Sequence, residues 1–183
     1  LLDMPNLKEL TIYDGSLYHK EIYTIGKCDS IERLCLSSTF VWDDISMLFD
    51  MPNLKWLELY DASFGIVTDR INPNSSIEYL DLERVRLYEL DSNGEWFWEN
   101  EIIELSNMAD TFGQLEALKF LIIPSHDFDD VECLTDNDKL LFLDISGNYI
   151  TDLSPIKDLP LEYINANNNQ IYDYAGFEDI TEQ

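Results

Sequence analysis

The residue types that carry out catalysis are sparse and scattered in this chain. His19 and His126 are its two histidines, and neither has a serine, cysteine or paired carboxylate spaced to form an activated nucleophile. The seven glycines are spread along the 183 residues, and none belongs to a phosphate-binding loop. We therefore expect no enzymatic activity and no catalytic residue.

Carboxylates are abundant, and their oxygens could bind a metal ion such as calcium. Short acidic clusters occur at 127–130 and 136–138, but neither has the spacing of a calcium loop with its central glycine and terminal glutamate. The segment 91–95 comes nearer, yet Gly94 falls too early in it. Solvated loop acids are the better interpretation, and we expect neither a metal ion nor any other cofactor.

Aromatic and acidic side chains together suggest recognition chemistry. Aromatics make up 13% of the residues, and 37 Asp and Glu against 11 Lys and Arg give a net charge of −26. This charge disfavours nucleic acids and anionic membranes as partners, because they carry the same sign. No apolar run approaches the roughly 20 residues needed to span a membrane, so membrane insertion is not expected. Solubility is the simpler explanation of the charge, and a basic partner is the more specific one.

A repeated unit must position these residues, because the chain copies itself. Residues 1–17 return as residues 48–64, with Asp-Met-Pro-Asn-Leu-Lys in both. Seven copies of the apolar pattern Leu-x-x-Leu-x-Leu begin at Leu7, Ile31, Leu54, Ile77, Leu118, Leu140 and Leu161. Their starts lie 24, 23, 23, 41, 22 and 21 residues apart. Such a period predicts a solenoid, and the alternation within each copy predicts a short strand.

The last two copies carry the residues of a known family. Each has an asparagine, Asn148 or Asn169, eight positions after its start, and a short connection over 151–160 lies between them. These copies resemble the leucine-rich repeats of the 22-residue bacterial and protein-phosphatase-regulator type, and the resemblance extends over essentially the whole chain. It implies an α/β leucine-rich-repeat solenoid. Such a solenoid is a curved right-handed superhelix with a parallel β-sheet on its concave face and irregular or short helical convex segments.

The earlier copies depart from the family pattern in their turns. In the family, the asparagine bonds the backbone of the turn that leaves each strand, so turns without it must satisfy those groups in another way. An apolar residue two positions further on is kept in all seven copies. The asparagine is replaced by Gly15, Thr39, Ala62, Val85 and His126, and the apolar residues are Leu17, Val41, Phe64, Leu87, Phe128, Ile150 and Ile171.

The gap of 41 residues indicates an insertion in the fourth unit, near 88–114. A turn is predicted at 91–94, and the spacing of Ile102, Leu105, Ala109 and Phe112 predicts a helix over 99–114. The aromatic cluster at 96–98 is expected to pack beneath that helix. We assign residues 1–183 to one domain of about seven repeats. Because the chain opens without methionine and inside a repeat, we expect it to be a fragment of a longer protein.

The outward positions of the predicted strands form the candidate binding surface. One position in each strand gives a row of five aromatics, which would extend roughly 19 Å at about 4.8 Å per strand. Carboxylates stand two residues after three of them. These partner-binding candidates are Trp56, Tyr79, Phe120, Phe142 and Tyr163 in the aromatic row, with Glu58, Asp81 and Asp144 beside them.

Two interpretations of the aromatic row stay open at this stage. The rings could contact a ligand, with a partner's lysine or arginine over them, or they could stack on one another and stabilise the sheet. A neighbouring row alternates in sign, which predicts charge pairs between adjacent strands. That row is Lys8, Glu32, Lys55, Glu78 and Lys119.

The cysteines bear on the cellular compartment. Cys28, Cys35 and Cys133 have neither metal-ligand spacing nor the pattern of a disulfide framework, which favours a reducing compartment such as the cytoplasm. A bridge between Cys28 and Cys35 is compatible with the sequence. Display on a bacterial cell surface is the alternative location.

The sequence as a whole predicts a non-enzymatic protein–protein interaction module. Its concave face is expected to bind a protein or peptide, and a basic one would suit the acidity, which is concentrated after Ser125, where only Lys139 and Lys157 oppose the acids. One alternative is a structural or targeting repeat segment of a larger surface-displayed protein. Another is an acidic nucleic-acid mimic that blocks a basic protein.

Overall fold

The computed structural model describes residues 4–67, 76–90, 102–103, 105–172 and 177. Its largest element is a parallel sheet of seven strands, called sheet A below, to which each predicted unit contributes one strand. The predicted solenoid with a parallel sheet is therefore confirmed. In sheet order the strands are β1 (Glu9–Tyr13), β3 (Arg33–Ser37), β5 (Trp56–Glu58), β7 (Tyr79–Asp81), β10 (Phe120–Ile122), β11 (Phe142–Asp144) and β12 (Tyr163–Asn165).

The register of sheet A aligns equivalent residues of every unit. The central apolar residues pair in one line across the sheet, and alternation along each strand directs them to the core. Leu34, Leu57 and Leu121 have no exposed surface, and burying each such side chain contributes about 2 kcal/mol. In the end strand β1, the equivalent Leu10 and Ile12 are only partly buried.

After each strand of sheet A the chain turns at a residue whose backbone lies in the left-handed region of φ and ψ. This residue always lies four positions after the central apolar residue of the strand. A positive φ costs little for glycine and least among the other residues for asparagine and aspartate. The seven turn residues have φ between 48° and 71°; they are Asp14, Ser38, Asp61, Arg84, Ser125, Gly147 and Asn168.

A second sheet, sheet B, lies after these turns in the N-terminal units and was not predicted. Its order is β2 (Ser16–Leu17), β4 (Phe40–Asp44), β6 (Ser63–Ile66), β8 (Arg86–Glu89) and β9 (Ile102–Ile103). The first four strands are parallel, and β9 pairs antiparallel with β8. Four of the seven apolar residues that lie two positions after the asparagine position occupy this sheet, and they pair in register: Leu17, Val41, Phe64 and Leu87.

Sheet B explains how the turns without asparagine satisfy their backbone groups. The N–H of Phe40 donates to the carbonyl of Gly15 at 2.9 Å, and the N–H of Arg86 donates to that of Ala62 at 2.9 Å. In the C-terminal units asparagine side chains add further bonds to the turn. Asn148 Nδ2 donates to the Ile123 carbonyl at 3.1 Å.

Helical segments connect the strands on the remaining side of the solenoid. Within the described ranges they are α1 (His19–Gly26), α2 (Ala109–Gly113) and 3-10 turns at Ser46–Asp50, Leu105–Met108, Glu132–Leu134 and Ser154–Ile156.

In the insertion, the helical segment is shorter than the 99–114 predicted. The described part is a 3-10 turn and α2 from 105 to 113, because 102–103 are extended and pair with β8. The predicted turn at 91–94 and the aromatic cluster at 96–98 lie outside the described residues.

The three cysteines are free thiols. Cys28 and Cys35 are buried, and Cys133 is partly buried. Among the helices of the described ranges, none has the length and apolar character needed to cross a bilayer.

Candidate functional site

The five predicted aromatics lie side by side on sheet A. Trp56, Tyr79, Phe120, Phe142 and Tyr163 are paired in register from β5 to β12, one residue before the central apolar residue of each strand. Because neighbouring residues of a strand point to opposite faces, all five project from the face opposite the core. The sheet therefore brings together the whole aromatic row that was predicted.

The rings stack on one another along the row. Trp56 and Tyr79 are nearly parallel, with centroids 3.4 Å apart and an interplanar angle of 5°. Phe120 lies 5.9 Å from Tyr79 and 6.0 Å from Phe142, in tilted contacts, and Phe142 and Tyr163 are again parallel at 4.4 Å and 8°. Mutual packing of the rings is thus present, and each contact contributes about 0.5–1.5 kcal/mol beyond buried area.

A cation of the chain itself covers the first ring. The Arg33 guanidinium carbon lies 4.1 Å from the Trp56 ring centroid, and Arg33 Nε lies 3.9 Å from Glu9 Oε1. Both faces of Trp56 are therefore occupied, one by Arg33 and the other by Tyr79. Trp56 is the least suited of the five rings to receive a partner's side chain on its face.

Two of the five rings are exposed, and both lie in the C-terminal part of the row, where Phe142 between them is half-buried. Phe120 is 37% exposed and Tyr163 is 49% exposed, whereas Trp56 and Tyr79 are half-buried. The surface available to a ligand is thus concentrated between β10 and β12.

The predicted acidic residues support turns as well as facing solvent. Asp81 is only 8% exposed, and its Oδ1 accepts a hydrogen bond from the Glu83 N–H at 2.9 Å. Asp144 Oδ1 accepts from the Ser146 N–H at 2.9 Å, and its Oδ2 accepts from Asn165 Nδ2 at 2.8 Å. Asp144 is half-buried and so more accessible to a partner than Asp81, which is buried.

Burial and like charge perturb the acidic row. Burial, with added repulsion from Glu58, raises the pKa of Asp81 from 3.8 to about 6. Burial also raises the pKa of the Cys35 thiol to about 11, with Glu58 again contributing, so this cysteine is protonated and unreactive at neutral pH. Desolvation beside Asp81 and Glu58 raises the pKa of Tyr79 as well.

The predicted charge pairs are present on the neighbouring row. Lys8 Nζ lies 2.6 Å from Glu32 Oε1, and Lys119 Nζ lies 2.8 Å from Glu78 Oε2. The Lys8 contact lowers the pKa of the Glu32 carboxyl. These pairs place positive charge among the acids from β1 to β10, around a shallow depression lined by Arg33, Lys55 and Trp56 among others.

Sequence reasoning did not predict the contact of Arg33 with Trp56. Its signal was its position: Arg33 occupies the same place in its strand as the five aromatics, directly before Trp56 in the register. In the described ranges, no group of three or more His, Cys, Asp or Glu side chains is arranged to hold a metal ion.

Comparison with known proteins identifies solved structures only, since no protein-family model and no curated protein matches the chain. Internalin C2 from Listeria monocytogenes is 21% identical, with a TM-score of 0.64 over 98% of this chain and 79% of that one. A plant ice-binding protein is 19% identical, with a TM-score of 0.52 over 91% of this chain. The chain spans 51% of the plant protein's length. The internalin InlF from Listeria monocytogenes is 18% identical, with a TM-score of 0.35 over 96% of this chain and 71% of that one.

At these identities the likeness concerns the fold. Internalins are leucine-rich-repeat proteins, and the seven in-register strands with short helical connections match that architecture. The 22-residue subtype stays a prediction from Asn148 and Asn169. The chain has an α/β leucine-rich-repeat fold.

Proposed function

We propose that this chain is a non-enzymatic module that binds a protein or peptide through the exposed face of sheet A. The observation that carries the proposal is the aromatic row from Trp56 to Tyr163, which projects away from the core. Polar side chains at these positions would be hydrated more favourably than aromatic ones, so the row favours a role in contact with a partner. Its mutual stacking pre-organises the rings, so little side-chain entropy is lost when a partner covers them.

The C-terminal part of the row is the favoured contact region. Phe120 and Tyr163 are exposed there, and Asp144 supplies a half-buried carboxylate on the strand between them. Only Lys139 and Lys157 oppose the acids that follow Ser125, so a basic partner would be attracted to this end. Trp56, Tyr79, Glu58 and Asp81 would then support the surface more than contact the partner.

The nucleic-acid mimic is a weaker candidate. Imitation of a nucleic acid needs negative charge lined up on one exposed face. The exposed side of sheet A instead mixes signs from β1 to β10, because Lys8, Lys55 and Lys119 stand among its acids.

A displayed library of random peptides would test the proposal. Peptides are selected on the wild-type chain and then measured on the double variant Phe120→Ala/Tyr163→Ala. We expect binding at least about tenfold weaker, because alanine removes ring contacts worth 1 kcal/mol or more each. The matched control is Tyr149→Ala/Tyr172→Ala, which removes two rings that are 52% and 79% exposed outside the aromatic row.

Circular dichroism must show that both double variants stay folded. Selected peptides that bind the Phe120→Ala/Tyr163→Ala variant as tightly as the wild type would overturn the assignment of sheet A. The same holds if the control variant alone loses binding.

A further inference from the structure

The shallow depression on the exposed side of sheet A collects positive charge in a strongly acidic chain. It extends from β1 to β10, across strands that lie inside the sheet. Among the described residues, four of the chain's 11 lysines and arginines line it or pair with an acid that lines it: Lys8, Arg33, Lys55 and Lys119. The acids that line it are Glu9, Glu32 and Glu78, so this group of side chains carries a surplus of one positive charge.

Two of the three acids are already paired with lysines at the outer positions of their row. Lys8 Nζ lies 2.6 Å from Glu32 Oε1, and Lys119 Nζ lies 2.8 Å from Glu78 Oε2. Lys55 stands between these acids, because its backbone bonds to Glu32 on one side and to Glu78 on the other. Within the described ranges its ammonium has neither a hydrogen bond nor an ion pair, and the residue is exposed. Lys55 is therefore the unpaired cation of the row.

Arg33 also keeps its donors available, on the strand beside Lys55. Its guanidinium carbon lies 4.1 Å from the Trp56 ring centroid, and its Nε is 3.9 Å from Glu9 Oε1, which is too long for a hydrogen bond. In the part of the chain that the structure describes, the guanidinium donates no hydrogen bond, and the side chain is 46% exposed. The contact with Trp56 holds the guanidinium in place, so binding an anion costs it little conformational entropy.

We propose that Arg33 and Lys55 together bind the carboxylate of an aspartate or glutamate side chain of the partner. The inference rests on the proposed function and specifies the chemistry of the partner. Lys55 directly precedes Trp56, the ring over which Arg33 lies, so both cations adjoin the same ring. The planar fork of Arg33 matches the two oxygens of a carboxylate, and Lys55 adds a second charge.

A carboxylate suits this site better than a phosphate. One negative charge balances the surplus of one positive charge in the depression. A phosphate dianion would bring a second negative charge among the carboxylates of Glu9, Glu32 and Glu78, and the repulsion would oppose its binding.

The partner would then carry opposite charges along the aromatic row. Its acidic residue lies at β5, and its basic residue lies toward Asp144 on β11, three strands away in sheet order. At about 4.8 Å per strand this separation is roughly 14 Å, which an extended segment covers in about four residues. An acidic residue and a basic one at about this spacing fit both parts of the surface.

Titration with small peptides tests the site by nuclear magnetic resonance. The probe is acetyl-Gly-Glu-Gly-amide, and the comparison is acetyl-Gly-Gln-Gly-amide, which has the same shape and no charge. We expect saturable shifts of the Trp56 indole and Lys55 amide resonances with the glutamate peptide, and about fivefold weaker binding with the glutamine peptide. The difference between the two peptides should shrink at high salt, because both cations are partly exposed.

Variants of single cations supply the second readout. Lys55→Gln and Arg33→Gln should each weaken binding of the glutamate peptide about fivefold. The matched control is Lys20→Gln, which removes the same charge from an exposed position on α1 and should leave binding unchanged. Lys8→Gln should also weaken binding, since it frees the Glu32 carboxylate to pair with Lys55. Circular dichroism checks that each variant is folded.

The outcomes separate this inference from the proposed function. Equal shifts with the two peptides, or glutamate binding that survives both Arg33→Gln and Lys55→Gln, would overturn the carboxylate site. Tighter binding of methyl phosphate than of the glutamate peptide would overturn it as well. Library peptides that need Phe120 and Tyr163 but bind Lys55→Gln as tightly as the wild type would overturn the carboxylate site and leave the proposed function intact. Glutamate binding at Lys55 without any library peptide that depends on sheet A would do the reverse.

Discussion

His126 Nε2 donates a hydrogen bond to the carbonyl oxygen of Leu82 at 2.8 Å, across the inserted segment. Asn148 and Asn169 donate to the equivalent carbonyls of Ile123 and Ile145. His126 stands where the leucine-rich-repeat family has asparagine and serves the same turn. The histidine therefore replaces asparagine as the donor, and the hydrogen bond to the carbonyl of the preceding unit is kept.

The first prediction concerns this donor. His126→Ala should lower the free energy of unfolding by about 1 kcal/mol, because the buried Leu82 carbonyl keeps only its longer bond from the Val85 N–H. His126→Asn should recover most of that loss, as asparagine makes the equivalent bond in the next unit. Urea denaturation at pH 7.5 measures both variants, and equal losses in the two would contradict the assigned role.

The pH dependence of His126 follows from its burial. Desolvation lowers its pKa below the ordinary 6.5, so as the pH falls the unfolded chain takes up a proton at His126 before the folded chain does. Its contribution to stability is therefore present above pH 6.5 and is lost as the pH falls. His126→Asn should be less sensitive to acid than the wild type over pH 6.5 to 5 when both are followed by thermal unfolding.

Asp81 should act in the opposite direction. Its pKa is about 6 in the folded chain against 3.8 ordinarily, so between these values the folded state holds a proton that the unfolded state has released. The contribution of Asp81 to the free energy of unfolding then falls as the pH rises from 4 to 6, and it stays low above pH 6. Asp81→Asn keeps the acceptor for the Glu83 N–H, so it should match the wild type near pH 4 and exceed it at pH 7 by on the order of 2 kcal/mol.

Asp144→Asn is the matched control for this prediction. Asp144 accepts the same turn bond in another unit, at the same 2.9 Å, but it is only half-buried. An Asp81→Asn variant that is no more stable than the wild type at pH 7 would show that burial of this carboxylate carries no cost.

Arg33 and Trp56 should be energetically coupled. A double-mutant cycle with Arg33→Ala and Trp56→Leu is expected to give about 0.5–1 kcal/mol of coupling, the range for a partly exposed cation over a ring. Most of it should persist at 0.5 M NaCl, because Trp56 is uncharged. A coupling that vanishes with salt would assign the effect to the contact between Arg33 and Glu9 instead.

Gly113 should tolerate no side chain. A Cβ at this position would lie 2.1 Å from the Cys133 carbonyl oxygen, so backbone would have to move. Gly113→Ala should lower the free energy of unfolding by about 2 kcal/mol or more. At Gly15 the nearest atom is a side-chain carbon at 3.4 Å, so Gly15→Ala should change stability far less. Similar losses in the two variants, measured by thermal unfolding, would contradict this steric explanation.

The spacing of the apolar residues was sufficient to locate sheet A, because that spacing is set by the need to bury them in one core. Each Leu-x-x-Leu-x-Leu copy could bury its leucines only by facing the same core, and all seven strands lie where that pattern placed them. The aromatic row followed from the same alternation. Predicting a residue's face needs only the period of the strand, which is a local property of the chain.

Sheet B and the ring contacts were harder to predict for a different reason. Leu17, Val41, Phe64 and Leu87 satisfy the core equally well in an irregular turn or in a strand, so their pattern does not distinguish the two. Backbone hydrogen bonds to the neighbouring unit decide between a turn and a strand, and the sequence of a single unit does not determine those bonds. Likewise, the placement of Arg33 on Trp56 depends on side-chain rotamers of two strands.

The direct pairing of β7 with β10 has a consequence for how the molecule unfolds. Although 41 residues separate the two units in sequence, their strands are adjacent in register. In a linear array, cooperativity passes only between neighbours, and a weak junction would divide the chain into two independently melting blocks. With this junction intact, opening of the C-terminal units is communicated to the N-terminal ones, and hydrogen exchange should report one shared transition in place of two.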